Sequence, residues 1–350
     1  MIGVRGTRTG GKVRAARITD LAALGELSRL SQQDGNDARS LGLPVSGPSI
    51  GVFSLFRLPL GAFRPNDLLY VYEDESRVAG LVRVERESPR DDWTIVELDA
   101  IGMLDAGDVR FRLVQQVLRE GQRRGAARFH VACADSDGNV ELFMQAGFAR
   151  YGEEIVCYRP PGDPVQPWTE ARAAEAGIRA ARPVDAVALM SLYQAITPVP
   201  VQRLEAFRIS DWERQGASWR VPRSSLAPIL RFADLEGYVL DGPDNRLDGF
   251  VQLGIAREDQ PHYLRVLVRP EVDSAALVDF ALGVISAQTS KGNADGKRDH
   301  GVIAPVRTYE SPVDRRLEDA GFGPIAQVTL LIKETLVRVA EPALVPAGVR

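Results

Sequence analysis

The sequence is written twice. Arg14-Ala15-Ala16-Arg17 is followed by Asp20, Ala23 and Leu24, and 165 residues later Arg179-Ala180-Ala181-Arg182 is followed at the same spacing by Asp185, Ala188 and Leu189. Gly80-Leu81-Val82-Arg83-Val84 parallels Gly249-Phe250-Val251-Gln252-Leu253, and Ala146-Gly147-Phe148 parallels Ala320-Gly321-Phe322. Three landmarks in one order and at nearly constant offset restrict the chain to two copies of one structural plan. Its 350 residues suit two domains of ordinary size. Between the copies runs Pro160-Pro161-Gly162-Asp163-Pro164-Val165-Gln166-Pro167. Proline fixes φ and withholds its N–H, so this stretch reads as an extended linker. The expected division is a tail (1–12), a first unit (13–160), a linker (161–170), a second unit (171–335) and a second tail (336–350).

Within each unit the pattern alternates between strand and helix. A short strand (Val13 to Arg17; Ile178 to Arg182) meets an aspartate, Asp20 or Asp185, placed to cap a helix by accepting N–H groups of its first turn. Strands follow near Leu68 to Tyr72, Val78 to Arg86 and Thr94 to Leu104. Their counterparts are Ile229 to Ala233 or Gly237 to Leu240, then Gly249 to Ala256 and Tyr263 to Val268. Val109, Leu113 and Val117, like Leu277, Ala281 and Ile285, recur every fourth residue and predict an amphipathic helix. Gly125 and Gly292 stand where such helices end. A strand (Ala127 to Ala132; Val302 to Val306), a short helix closing on Ala-Gly-Phe and a last strand (Glu153 to Tyr158; Gln327 to Lys333) complete each unit. This order is α/β of the mixed α+β kind, with a mainly antiparallel sheet.

Composition narrows the function. A net charge of −4 gives no electrostatic case for nucleic acid. No apolar run reaches the roughly 20 residues of a membrane span. The start, basic and glycine-rich, lacks the apolar stretch of a signal peptide. Two cysteines, Cys133 and Cys157, make no disulfide framework. A cytoplasmic protein is expected, with no nucleic-acid or membrane partner. His130, His262 and His300 lie far apart without zinc-ligand spacing, so no metal is expected, and they read as isolated strand or surface residues. Cys133, near Asp135, reads as a buried thiol or a nucleophile.

The element order, together with Asn139-Val140-Glu141-Leu142-Phe143-Met144-Gln145-Ala146-Gly147-Phe148 and Leu317-Glu318-Asp319-Ala320-Gly321-Phe322, resembles the GNAT superfamily of N-acetyltransferases from about Val13 to Glu334. Tyr193, Thr197-Pro198-Val199-Pro200-Val201 and Trp212 are similar to stretches in uncharacterised bacterial tandem members. The resemblance implies two tandem GNAT folds, each a twisted, mainly antiparallel sheet flanked by helices. It implies acetyl-CoA as co-substrate and a small-molecule or peptide amine as acceptor. In that family the fourth and fifth strands splay apart, the pantetheine arm lies in the gap, and the pyrophosphate sits on the next helix N-terminus, where free N–H groups and the helix dipole favour an anion. The amine must lose a proton before it attacks the thioester.

Carried over residue by residue, the strip beside the gap is Ile101-Gly102-Met103. The phosphate loop corresponds to Asp105-Ala106-Gly107-Asp108-Val109-Arg110, where Gly107 is the one glycine left. Arg110 and Arg112 partly offset the acids Asp105 and Asp108. Asn139 stands where members place a polar contact to the cofactor, or caps its helix. Phe143 stands where members carry a tyrosine that protonates the leaving thiolate, and it cannot donate. In the second unit, Pro270-Glu271-Val272-Asp273-Ser274-Ala275-Ala276 has no glycine, and Asp273 or Ser274 suits a helix cap. Alternation puts Glu97, Asp99 and Ile101 on one face of their strand and Val96, Leu98 and Ala100 on the other. Glu97 and Asp99 are the candidate catalytic bases, or solvated strand residues. Tyr263 and Arg265 occupy the comparable strand with no carboxylate between them. Phe53, Phe56 and Phe63, with Leu55, Leu58 and Leu60, line an acceptor pocket or belong to the core. So do Phe207, Trp212 and Trp219. Two functions stand at this point: an acyl-CoA-dependent N-acyltransferase acting from the first unit, with the second as scaffold or wall, or a catalytically silent tandem module that binds a ligand or protein. Oligomeric state is not legible.

Overall fold

The computed structural model describes residues 11–33, 41, 43, 67–87, 90–101, 106–136, 138–162, 165, 168–214, 219, 221–230, 232–256, 260–293 and 301–335. In the first repeat these form β1 (Lys12–Ala15), α1 (Leu21–Gln33), β2 (Asp67–Asp74), β3 (Arg77–Glu87), β4 (Asp92–Ala100), α2 (Ala106–Arg123), β5 (Arg128–Cys133), α3 (Asn139–Gln145) and β6 (Ala149–Arg159). The second gives α4 (Glu170–Glu175), β7 (Ile178–Ala180), α5 (Ala186–Ile196), α6 (Val199–Glu205), α7 (Ile209–Trp212), β8 (Phe232–Asp241), β9 (Leu247–Ala256), β10 (His262–Val268), α8 (Ala275–Asn293), β11 (Val302–Arg307), α9 (Ser311–Asp319) and β12 (Gly323–Glu334). The fold is mixed α+β, as expected. Helix α4 was not foreseen. It is closed at its start by the Thr169 hydroxyl, which accepts the Arg172 N–H at 3.2 Å.

All twelve strands join one sheet in the order β1-β2-β3-β4-β5-β12-β6-β11-β10-β9-β8-β7. Read outward from β12 and β6 the order is a palindrome, as a duplicated chain around a pseudo-twofold requires. The middle of it is exchanged. β12, last in the second repeat, pairs with β5 of the first, and β6, last in the first, pairs with β11 of the second. β6 and β12 pair with each other antiparallel. Among the described residues only β4–β5 and β10–β11 run parallel.

Two layers of helix cover the sheet. On one face α2 and α3 bury Val109, Leu113, Val117 and Phe143, and α8 and α9 bury Leu277, Ala281, Ile285 and Leu317. These are the every-fourth-residue positions of the sequence. On the other face α1 sets Leu24 and Leu27 over Val71 and Leu81, while α5 to α7 set Tyr193, Phe207 and Trp212 in a larger cluster. Gly125, at φ +81°, closes α2 in the left-handed conformation that glycine adopts freely. Gly292 does not close α8, which runs on to Asn293.

The repeated Arg-Ala-Ala-Arg…Asp motif is a clamp rather than a helix cap. Asp20 closes a 3₁₀ turn (Ile18–Asp20) that precedes α1. Its carboxylate therefore reaches backwards, accepting the Arg17 N–H at 2.7 Å and both Nη groups of Arg14 at 2.7 and 2.9 Å. Asp185 does the same with Arg182 N–H at 2.7 Å and Arg179 at 2.8 and 3.0 Å. Each aspartate does stand directly before its helix, and Asp185 is the N-cap residue, but its backbone is already helical there and its side chain makes no bond to the helix.

Candidate functional site

β4 and β5 are joined only over Asp92–Ile95 and Arg128–Val131. Beyond that vertex their ladder stops. At the same place β4 carries a bulge: Arg83 faces Glu97 and Val84 faces Ile95, leaving Val96 as an extra residue. The bulge overturns one expectation. Val96 does not share a face with Leu98 and Ala100; it turns into the cluster of Tyr193 and Trp212, whereas Leu98 packs with Val109 and Leu113. Glu97 and Asp99 are cross-strand neighbours of Arg83 and Leu81 and so lie on the α1 face, with Ile101 packed against the same cluster as Leu81.

Both carboxylates are buried, not solvated: Glu97 is 2% exposed and Asp99 1%. Arg83 lies 3.2 Å from Glu97 and 3.3 Å from Asp67. Burial opposes the Arg83 charge, but the two carboxylates outweigh it and hold its pKa above the ordinary value. Glu97 is thus an ion-paired carboxylate.

The second unit diverges likewise after His262 and Tyr263, which pair with Val302 and Ile303. Its strand has a regular register without a bulge. Counting back from Gly80↔Ala100 and Gly249↔Val268, Arg265 stands where Glu97 does, Leu267 where Asp99 does, and Ile303 where His130 does. Arg265 is 2% exposed and spans the split to Glu310 with two bonds of 2.7 Å. At the α8 N-terminus Asp273 accepts the Ala275 N–H at 2.9 Å and is gripped by Arg316 at 3.0 and 2.9 Å. The helix end and the strand gap are both closed by the unit's own side chains.

In the first unit, Gly107 and Asp108 at the start of α2 are exposed. A Cβ placed on Gly107 meets no atom within 4 Å. Asp108 pairs with Arg112 at 2.8 Å. Val109 faces the core, against Gly80. Arg110 is buried and donates to Asn139 Oδ1, so these two expected cofactor contacts engage each other. Phe143 is fully buried and meets Phe148 edge-on, with ring centroids 5.3 Å apart. Gly102 and Met103 lie outside the described residues, as do Asp105, Phe53, Phe56, Phe63, Leu55, Leu58 and Leu60. Phe207, Trp212 and Trp219 are core. Leu41 accepts the Ala134 N–H at 2.9 Å, just past the end of β5. Leu41 packs with the α2 cluster and Leu43 with the Val96 cluster, so the two lie on opposite faces of the sheet.

A cavity of about 20 Å³ sits at the vertex on the α1 face, lined by Thr94 and Val96 of β4, His130 of β5, Tyr151, and Arg223 and Ser225 of the second repeat. The alternation Phe129, Val131, Cys133 into the α2 core already turns His130 to the other face; that signal was available in the sequence. No signal foretold segment 221–230. His130 is 3% exposed, and neither ring nitrogen has a hydrogen-bond partner. Its Nε2 lies 3.7 Å from Asp92. Burial, and then the Arg223 charge, lower its pKa against the pull of Asp92 and Glu87, leaving a neutral ring at pH 7. Burial pushes the Tyr151 hydroxyl up to about 12.

Charge ties the two repeats together around this cavity. Arg223 grips Glu87 at 2.5 and 2.9 Å, and Arg90 links Asp92 at 2.5 Å to Asp211 at 2.6 Å. Arg307 bridges Glu154 and Glu205, each at 3.2 Å. Cys133 is a buried thiol pushed up to about 12 by burial, which leaves it without nucleophilic character. Among the described residues no three His, Cys, Asp or Glu side chains converge to hold a metal ion, and no helix is long and apolar enough to cross a membrane.

No family model and no curated protein matches the sequence. Solved structures do match the fold. A tandem GNAT protein from the clavulanic acid biosynthesis pathway superposes with a TM-score of 0.55 at 13% identity, covering 93% of this chain and 98% of its own. A GCN5-related N-acetyltransferase from Sphaerobacter thermophilus gives 0.56 at 15% identity, covering 93% and 95%. The chain carries the tandem GNAT fold.

Proposed function

We propose that the first unit, residues 13–160, transfers an acyl group from acyl-CoA to the amine of a small molecule or peptide, and that the second, 171–335, is a closed scaffold that walls the site. The neighbours named as acetyltransferases lend the reaction type. One observation of this chain carries the assignment to the first unit: at matching register positions it has Glu97, Asp99 and a bulge, where the second has Arg265, Leu267 and an unbroken strand. The exposed α2 N-terminus at Gly107 suits a pyrophosphate, and the corresponding end of α8 is taken by Asp273. Bound acyl-CoA supplies the activated thioester.

Calorimetric titration with acetyl-CoA tests this reading. One site per chain is expected, and Gly107→Glu should abolish binding without disturbing the fold. No heat at millimolar acetyl-CoA would leave only the catalytically silent module. An unchanged affinity in Gly107→Glu would mean that the phosphates sit elsewhere.

A further inference from the structure

Glu97 is buried and engaged by Arg83. Another group must receive the proton of an incoming ammonium. We propose that His130 is that proton acceptor, taking the proton directly or through one water held in the vertex cavity. This rests on the acyltransferase reading above.

Four observations converge on it. His130 lies at the last joined pairs of β4 and β5, opposite Thr94, where the split opens. It lines the cavity with Thr94, Val96, Tyr151, Arg223 and Ser225. Both ring nitrogens are buried without a hydrogen-bond partner, which is costly unless a ligand or water completes them. The cavity, about 20 Å³, has room for one water, the length of a single relay; its lining is mainly apolar, and the polar residues on it include His130, Thr94, Tyr151, Arg223 and Ser225. The groups that face the ring come from four elements: Glu87 from β3, Asp92 from β4, Tyr151 from β6 and Arg223 from the second repeat. Arg223 disfavours the imidazolium at rest. Asp92, 3.7 Å from Nε2, stabilises it once formed. The second unit has Ile303 at this position and can carry no such step.

The step balances without any further reagent. The ammonium gives a proton to the neutral imidazole. The freed nitrogen lone pair attacks the thioester carbonyl carbon, the C–N bond forms, and the C–S bond breaks with its electron pair on sulfur. The amine nitrogen sheds its remaining extra proton to solvent. The imidazolium returns its proton to the thiolate, which leaves as free thiol.

The test uses the full chain with isotope-labelled histidine rings, followed by NMR from about pH 5 to 9. His130→Gln removes one of three signals and so assigns it. The His130 signal should be that of a neutral ring at pH 7 and should shift on adding acetyl-CoA, while His262 and His300 stay put. Thiol release from acetyl-CoA is then followed with spermidine, an aminoglycoside and a peptide with a free N-terminus. For whichever is turned over, His130→Gln should lower kcat about a hundredfold, leave KM for acetyl-CoA unchanged and remove the acidic limb of the pH profile. A His130 signal that does not move while calorimetry registers acetyl-CoA would overturn the proposal, as would a His130→Gln enzyme with the wild-type pH profile. Absence of acetyl-CoA binding defeats the acyltransferase reading itself, and this step with it.

Discussion

Replacing Arg223 with methionine asks whether charge holds the second repeat against the first. The guanidinium gives one Nη to each Glu87 oxygen, at 2.5 and 2.9 Å, and stands 3.4 Å from Asp92. Methionine keeps an unbranched apolar stem and removes the guanidinium, its charge and its hydrogen bonds together. Glu87 then retains the Thr94 hydroxyl at 2.9 Å and the more distant Arg90 at 3.8 Å. Breaking a buried pair costs about 3–5 kcal/mol. Arg90 still neutralises Asp92 at 2.5 Å, which places the loss at the lower end, about 3 kcal/mol. At about 2.1 cal/mol/K per residue, 350 residues unfold with an entropy of about 0.7 kcal/mol/K, so Tm should fall by about 4 °C. Urea unfolding followed by tryptophan fluorescence reads this directly, since Trp212 and Trp219 are each 1% exposed. The pH dependence gives a second reading. Burial raises the Glu87 pKa, but Arg223 outweighs it and holds the group below its ordinary 4.5. The stability from this pair is therefore complete above about pH 4.5 and lost as pH falls through the folded value. The gap between wild type and Arg223→Met should narrow in that same window. A loss under about 1 kcal/mol at pH 7, or a gap indifferent to pH, would refute the reasoning.

Other consequences can be checked with similar measurements. His130 has its pKa lowered from 6.5 by burial, so below pH 6.5 the unfolded chain binds a proton that the folded one does not. Stability should fall with pH there by up to about 1.4 kcal/mol per unit, and His130→Gln should flatten the slope; an identical slope in the variant would show that the ring is charged in the fold. Asp20→Ala and Asp185→Ala should each cost about 1–2 kcal/mol in chemical denaturation, because the clamps are alike; a silent member would mean the clamp is not what matters. Gly237→Ala places a Cβ against the Trp219 ring, closer than contact distance, and should cost at least about 1–3 kcal/mol, seen as a lower melting temperature. Unchanged melting would mean the ring has room to move.

The repeat made the architecture legible because periodicity is a local property. Val109, Leu113 and Val117 mark a helix face whatever lies opposite. The alternation that put Glu97 and Asp99 together survived for the same reason. It failed one residue earlier, at Val96, because a bulge inserts a residue only when two strands pair, and pairing is not written in either strand alone. Asp20 does precede its helix, but its carboxylate turns back to Arg14 and Arg17, because a 3₁₀ turn comes first, a short-range choice that propensity does not decide. Histidine spacing in the sequence speaks only to metal ligation, whereas the charges that face His130, Arg223 and Glu87, are 136 residues apart in sequence. Charge pairs of that separation leave no periodic trace.

The exchange of β6 and β12 also bears on the order in which the molecule can be made. During synthesis β5 emerges early, but its neighbour β12 ends at Glu334, 201 residues after Cys133, the end of β5. Through that interval the nascent first repeat offers one bare strand edge with Phe129 and Val131 upon it, the kind of edge that recruits other chains. The sheet of the first repeat therefore gains the neighbour of β5 only after β12 has been made, and a ribosome that stalls before β12 leaves that edge open.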